Sequence, residues 1–218
     1  MKIEGPVKSV AKSLRYERMF DMRWVPAVDE IYISVDIEAD GPIPGQYSML
    51  SFGLCVAATF DGKLFQPRDP AANTFYRELK PIFDDVDQKA LAVSGLDRAS
   101  LASKGSDADQ SMQEAADWIA EEAGLARPVL VGYPIVFDWM FIHWYFTHFL
   151  GESPFRSSSA LDMKSMYQSK AFVLVGDAGR KDLPAELKTQ RPHTHNALDD
   201  AIEQAEIFNR LFVWEGPQ

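Results

Sequence analysis

Two rhythms of hydrophobic and polar positions run along this chain. Residues 31–36 (Ile-Tyr-Ile-Ser-Val-Asp) form a β-branched apolar run, as expected of a strand covered on both faces. Met49–Thr59 is a second such run, and Asp61-Gly62 behind it is a hairpin signal. Lys63–Gln66 and Thr74–Leu79 supply a third strand, interrupted by a turn region over Pro67–Asn73. Three strands in succession predict an antiparallel meander. The period then becomes helical. Asp87–Val93 and Arg98–Lys104 read as short helices around Ser94-Gly95-Leu96. Asp107–Ala123 is a longer one, with Met112, Ala115, Ala116, Ile119 and Ala123 near one face and Gly124 placed to stop it. Pro128–Gly132 is a short buried strand. Phe137–Leu150 is a helix crowded with aromatic residues, a stripe that core packing explains. Leu161–Tyr167 reads as the start of another helix, and residues 173–195 as an irregular connection. Ala197–Trp214 closes the chain as a helix with Leu198, Ala201, Ala205, Phe208 and Phe212 along one stripe. The pattern predicts an α/β fold whose mixed sheet is antiparallel over its first three strands, parallel afterwards, and flanked by helices. We expect an N-terminal extension over residues 1–29 and a single domain over 30–218, without repeats or a linker.

Composition narrows the classes. At 218 residues, 46% hydrophobic and 25% charged, the chain is long enough to bury a substantial core. Its one cysteine, Cys55, lies in an apolar run and excludes a disulfide framework or a multi-cysteine zinc site. No stretch is apolar enough to span a membrane and the N-terminus lacks a secretory core, so a cytoplasmic protein is expected. The net charge of −10 argues against an extended basic surface for long nucleic acid. It leaves room for an enzyme that grips a few phosphates through bound metal. Residues 1–25 run the other way, with Lys2, Lys8, Lys12, Arg15, Arg18 and Arg23 against Glu4, Glu17 and Asp21. That leader touches nucleic acid or a partner subunit, or is simply a solvated terminus.

The first strand ends in Asp36-Ile37-Glu38, and residues two apart on a strand point to the same face. Adjacent carboxylates repel unless they share a proton or a cation, and Mg²⁺ prefers oxygen ligands. Asp138 stands where a strand hands over to a helix, the place where α/β sheets bind ligands. In His195-Asn196-Ala197-Leu198-Asp199-Asp200 the helix stripe turns Asp200 inward, while Asp199 lies about a hundred degrees away. His193 and Asp199 read as surface residues. Asp36, Glu38, Asp138 and Asp200 beside a histidine meet the needs of two-metal phosphodiester hydrolysis. Imidazole, which ordinarily titrates near neutrality, takes the proton of the attacking water.

The order of these motifs resembles the DEDDh 3′–5′ exonucleases: Asp-x-Glu on the first strand, Phe-Asp at a later helix start, and His-x-x-x-x-Asp at the last helix. That superfamily includes proofreading exonucleases, oligoribonuclease and ribonuclease T on a ribonuclease-H-like fold. The likeness covers roughly residues 30–214, includes Ser94-Gly95-Leu96, and is strongest to a small bacterial exoribonuclease-like group. It implies that Asp36, Glu38, Asp138 and Asp200 hold two Mg²⁺ or Mn²⁺ ions and that His195 is the general base. It also implies that Glu38 hydrogen-bonds the terminal 3′-hydroxyl, and that Phe137 with Met49 or Leu50 packs the last base. Many relatives carry Asn four residues before the helix Asp; here that position is Pro134, which has no side-chain amide. Single-stranded RNA or DNA 3′ ends are the implied partner, RNA slightly ahead, with nucleoside 5′-monophosphates as products and a homodimer as one arrangement. Among Arg180, Lys181, Lys188 and Arg191, one or two are expected to contact upstream phosphates, Arg191 first. Two other readings remain: an idle fold of the same kind that only binds nucleic acid or protein, and a zinc site on His193 and His195.

Overall fold

The computed structural model describes residues 29–217; the basic leader lies outside them. Strands β1 (Glu30–Ala39), β2 (Met49–Phe60), β3 (Phe65–Pro67), β4 (Thr74–Glu78), β5 (Arg127–Gly132) and β6 (Ala160–Asp162) form one sheet. Its order is β3-β2-β1-β5-β6, and β4 also pairs with β2. β2 is antiparallel to β1, β3 and β4, whereas β1, β5 and β6 are parallel. The expected third strand is thus two short strands that share one edge of β2 end to end. β3 takes Ala58–Phe60 and β4 takes Ser51–Cys55.

The helices are α1 (Gln88–Ser94), α2 (Arg98–Lys104), α3 (Ala108–Ala123), α4 (Ile135–Leu150), α5 (Met163–Ala171) and α6 (Ala197–Val213). Gly95 and Gly124 end α1 and α3 at positive φ, 65° and 54°, which only glycine adopts cheaply. α4 begins two residues before the expected start because Pro134 serves as its N-cap, and Asp138 falls in its first turn. One expectation is corrected. Leu161-Asp162 is the end of β6, and the helix begins at Met163. Three residues are too few for a period-two signal. Asp162 marks the change as N-cap, its Oδ1 accepting from Ser165 N at 2.7 Å, while its Oδ2 accepts from Ile135 N of α4 at 2.9 Å.

β1 shows how the sheet divides its two faces. Ile31, Ile33, Val35 and Ile37 pack with Phe52, Leu54 and Val56 of β2 and with Met112, Ala115 and Ile119 of α3 and Phe141, Ile142 and Tyr145 of α4. Tyr32 points to the opposite side, with Cys55, Ala57, Val129 and Val131, under Tyr167 of α5 and Ala201, Ala205 and Phe208 of α6. Covering both faces explains the near-continuous apolar reading of β1. It also sends Asp36 and Glu38 toward α6. Bulges in the β1–β2 ladder fall at Tyr32/Ile33 and Glu38/Ala39, so the stretch carrying both carboxylates keeps its alternation.

α6 lies almost directly on β2. A Cβ on Gly53, the partner of Asp36 in the ladder, would come within 2.5 Å of Ala197 O and of Leu198 N and Cα. Backbone cannot move aside as a flexible side chain does. We therefore expect Gly53→Ala to lift the first turn of α6, costing about 1–3 kcal/mol. Thermal unfolding should show this as a Tm lower by roughly 2–12 °C; an unchanged Tm would refute the close approach.

Candidate active site

The site opens where β1 and β5 part company. Their parallel pairing runs only as far as Ser34 with Val131. Beyond it the backbone N–H groups need other partners. Ile37 N donates to Asp138 Oδ1 at 3.0 Å, and Tyr133 N donates to Gln204 Oε1 at 2.5 Å. Side chains of α4 and α6 thus fill the gap between the diverging strands. A crevice at strand C-termini is where α/β sheets take their ligands.

Asp36, Glu38 and Asp200 each present a carboxylate oxygen within 4.8 Å of the other two. Asp138 is buried beside them, its charge felt at Asp36. Asp200 is fully buried, as its place on the apolar stripe predicts. Its Oδ1 accepts from Thr194 N and its Oδ2 from His195 N, both at 2.9 Å. Gln204 Nε2 donates to Asp36 Oδ1 at 2.7 Å. The four carboxyls expected from the sequence are therefore gathered in one place.

Electrostatics follows from that crowding. Burial, followed by the charges of Asp138, Glu38 and Asp200, raises the pKa of Asp36 well above the carboxylate range, with Arg180 opposing. Burial raises Asp138 too, partly offset by the Ile37 N–H. Glu38 is pushed up to about 7 by burial and then by Asp200. Such a cluster is short of positive charge, and oxygen donors at this spacing suit a hard divalent cation. The donor set therefore fits the metal ions that the sequence implies.

His195 sits immediately before the helix, solvent-exposed and at φ 56°, a left-handed conformation unusual for a residue other than glycine. Asn196 follows as N-cap, its side chain accepting from Leu198 N and Asp199 N. His193 is exposed, as its place in a polar loop predicts, but it also makes contacts that a surface reading does not supply. Its side chain is 34% exposed, yet Nδ1 lies 2.9 Å from Asp200 Oδ2 and 3.2 Å from Glu203 Oε2. Its Nε2 lies 3.1 Å from Arg180 Nη2, which can only donate, so the imidazole proton sits on Nδ1. Nitrogen or oxygen atoms of His193, His195 and Asp200 also lie within 4.8 Å of one another, so the His-x-His pair shares Asp200 with the carboxylate cluster. Asp199 is exposed, as its position predicts.

The remaining predicted residues separate. Phe137 is 38% exposed and its ring packs on Phe141. Met49 and Leu50 are fully buried at the bulge next to Glu38, with Met49 N donating to Tyr145 Oη at 2.7 Å. Arg191 is ion-paired to Glu206 at 2.6 Å. Arg180 is paired to Glu203 at 3.1 Å, and its charge acts on both Asp36 and Asp138. With Lys181, Lys188 and His193 it lines a cleft of about 300 Å³ floored by Leu183 and Ile207. Sequence reasoning does not find Gln204 and Glu203. Both are polar residues about one turn beyond Asp200 on the buried side of α6, and that interruption of an apolar stripe is the available signal.

No protein-family model matches the sequence. The chain is 38% identical to the 3′–5′ DNA exonuclease Cap18 of Escherichia coli over 183 residues, 84% of this chain and 91% of that protein. Among solved structures, the nuclease domain of 3′hExo, a DEDDh family member bound to rAMP, superposes with a TM-score of 0.62 at 13% identity, covering 85% of this chain and 92% of that domain. Cell-death related nuclease 4 (CRN-4) superposes with a TM-score of 0.58 at 13% identity; 86% of this chain is covered, but only 64% of that one. The architecture in each case is ribonuclease-H-like, as the motif order implies. Sequence relationship, shared fold and the four gathered carboxyls agree, and the chain belongs to the DEDDh superfamily as a 3′–5′ exonuclease.

Proposed function

We propose that this enzyme removes nucleoside 5′-monophosphates one at a time from the 3′ end of a single strand, using two divalent cations and His195 as general base. The observation that carries the reading is the gathering of Asp36, Glu38, Asp138 and Asp200 at the end of β1, three of them with carboxylate oxygens within 4.8 Å. These four side chains would hold Mg²⁺ or Mn²⁺. Bound there, the cations would activate the attacking water and stabilise the leaving 3′-oxygen. Glu38, ionised beside the cations, would accept a hydrogen bond from the terminal 3′-hydroxyl. His195, exposed at the rim, would take the proton of the water; its main-chain bond to Asp200 limits where the ring can reach. Phe137 is the exposed aromatic at this edge and would stack on the last base. Met49 and Leu50, sealed at the bulge, would keep the Glu38 end of the crevice in shape.

The motif order by itself leans slightly to RNA. The 38% identical relative is named for DNA, and we take single-stranded DNA as the preferred substrate with RNA second. Among the described residues, no helix is long and apolar enough to cross a membrane. We place the enzyme in the cytoplasm, which a single buried cysteine suits.

Upstream phosphates would run along the Arg180–Lys181–Lys188 cleft. Both arginines are ion-paired, but Arg180 lines that cleft and Arg191 does not, so Arg191 would contribute less.

Three measurements test the reading. With Mn²⁺ and end-labelled DNA and RNA oligomers, the parent should shorten each from the 3′ end, DNA faster. Asp36→Ala should abolish the ladder, and His195→Ala should lower kcat by about 10²–10⁴-fold; equal activity of Asp36→Ala would point to a contaminant. Replacing Lys181 and Lys188 together by Ala should raise KM and flatten its dependence on log salt, by roughly 0.7 for each phosphate that is no longer neutralised. An unchanged KM would remove the cleft from the substrate path. The third concerns pH. Unfolded carboxyls titrate near 4, so between about pH 4.5 and 7 the folded, metal-free chain holds extra proton at Asp36, Glu38 and Asp138 relative to the unfolded one. Its stability then falls as pH rises through that window. The Tm gained on adding Mg²⁺ should be larger at about pH 8 than at about pH 5, and a gain independent of pH would sink this account of the carboxylates.

A further inference from the structure

Gln204 is a polar residue of the site that no motif explains. It lies one turn past Asp200 on α6, is 1% exposed, and reaches two strands at once. The Tyr133 N–H can only donate, so the amide oxygen must face it and the NH₂ must face Asp36. The orientation of the amide is thereby fixed by the backbone. One side chain then fastens the end of β5, where the chain turns into the helix bearing Asp138, to the carboxylate of β1 from the helix bearing Asp200.

We propose that Gln204 is a positioning residue for the cations, holding Asp36 in one rotamer by occupying a single lone pair of Oδ1. The inference rests on Asp36 being a cation ligand. An amide suits this task better than other donors of similar reach. Lysine or arginine would add a positive charge beside the ions and repel them. A hydroxyl would not reach both Asp36 and Tyr133. The amide instead stabilises the anionic form of Asp36 and leaves the other lone pairs available. Groups that orient a ligand in this way typically contribute about 10–100-fold in metal affinity.

The test is a calorimetric titration of Mn²⁺ into the full chain, alongside Gln204→Met, Gln204→Asn and Asp36→Asn. Methionine keeps the length and removes both hydrogen bonds. Asparagine keeps an amide that is one methylene too short to span both partners, and serves if the methionine variant does not fold. We expect folded Gln204 variants to bind Mn²⁺ at least about tenfold more weakly. Activity should be recovered by raising Mn²⁺, with the KM for an oligonucleotide at saturating Mn²⁺ within about twofold of the parent. A merely structural role would instead lower Tm and kcat at every Mn²⁺ concentration without shifting the isotherm, and that result would overturn the proposal. A flat isotherm for the parent itself, matched by Asp36→Asn, would remove the cation reading and this inference together. A normal parental isotherm that Gln204→Asn leaves unchanged would remove this inference alone.

Discussion

Negative charge held where water is scarce is the constraint on which this molecule turns. Asp36, Glu38, Asp138 and Asp200 crowd the end of one strand, and burial and mutual repulsion raise the pKa of the first three. The protein does not answer with matching positive charge. Asp138 is held by the Ile37 N–H, Asp200 by the N–H groups of Thr194 and His195, and Asp36 by an amide. Each of these donors fixes an orientation without adding a charge. The nearby cation, Arg180, is itself paired with Glu203. The cluster is therefore oriented but not neutralised, which is the state that favours an incoming divalent ion over a fixed ammonium or guanidinium.

Keeping such a cluster requires a scaffold that brings three distant segments together without water between them. The sheet does so by ending one pairing early. β1 and β5 separate after Ser34 and Val131, and the orphaned N–H groups recruit Asp138 and Gln204 from the helices on opposite faces. Gly53 lets α6 settle onto β2, and the Ala197, Ala201 and Ala205 stripe keeps it close along its length. Asp40 plays a related part at the outer end of β1, where it is fully buried and paired with Arg98 of α2 at 2.7 Å. Its Oδ1 also accepts from Ser48 N, tying the loop between β1 and β2 back to the strand. The acid-bearing end of β1 is thus clamped from α2, α4 and α6.

Part of this is legible in the sequence because the relevant signals are local. Period two puts Asp36 and Glu38 on one face, and the stripe of α6 decides between Asp199 and Asp200 with no knowledge of the fold. β6 escapes such a reading because a three-residue strand has no period, and its Asp162 resembles any helix cap. His193 reads as solvated because a polar loop offers no register. Its ring reaches Asp200 and Glu203 only through the path the loop takes back to α6. Arg191 and Arg180 are indistinguishable by composition. What separates them is tertiary: each is ion-paired, to Glu206 and Glu203 respectively, but the charge of Arg180 extends to Asp36. Gln204 lies within reach of the same helix argument that finds Asp200, but an uncharged residue gives no hint of metal chemistry.

The net charge of −10 bears on how a polyanion is taken up. Charges farther apart than about 8 Å are largely screened at physiological ionic strength. A strand approaching the acidic body formed by the described residues therefore meets only weak repulsion. Only within that distance of the crevice do Arg180, Lys181 and Lys188 act, together with whatever cations the carboxylates hold. Among the described residues, such an arrangement concentrates the attraction for phosphates beside the carboxylates. The positive charge of this cleft is local and lies beside the carboxylates, a placement compatible with an enzyme that holds a strand by one end.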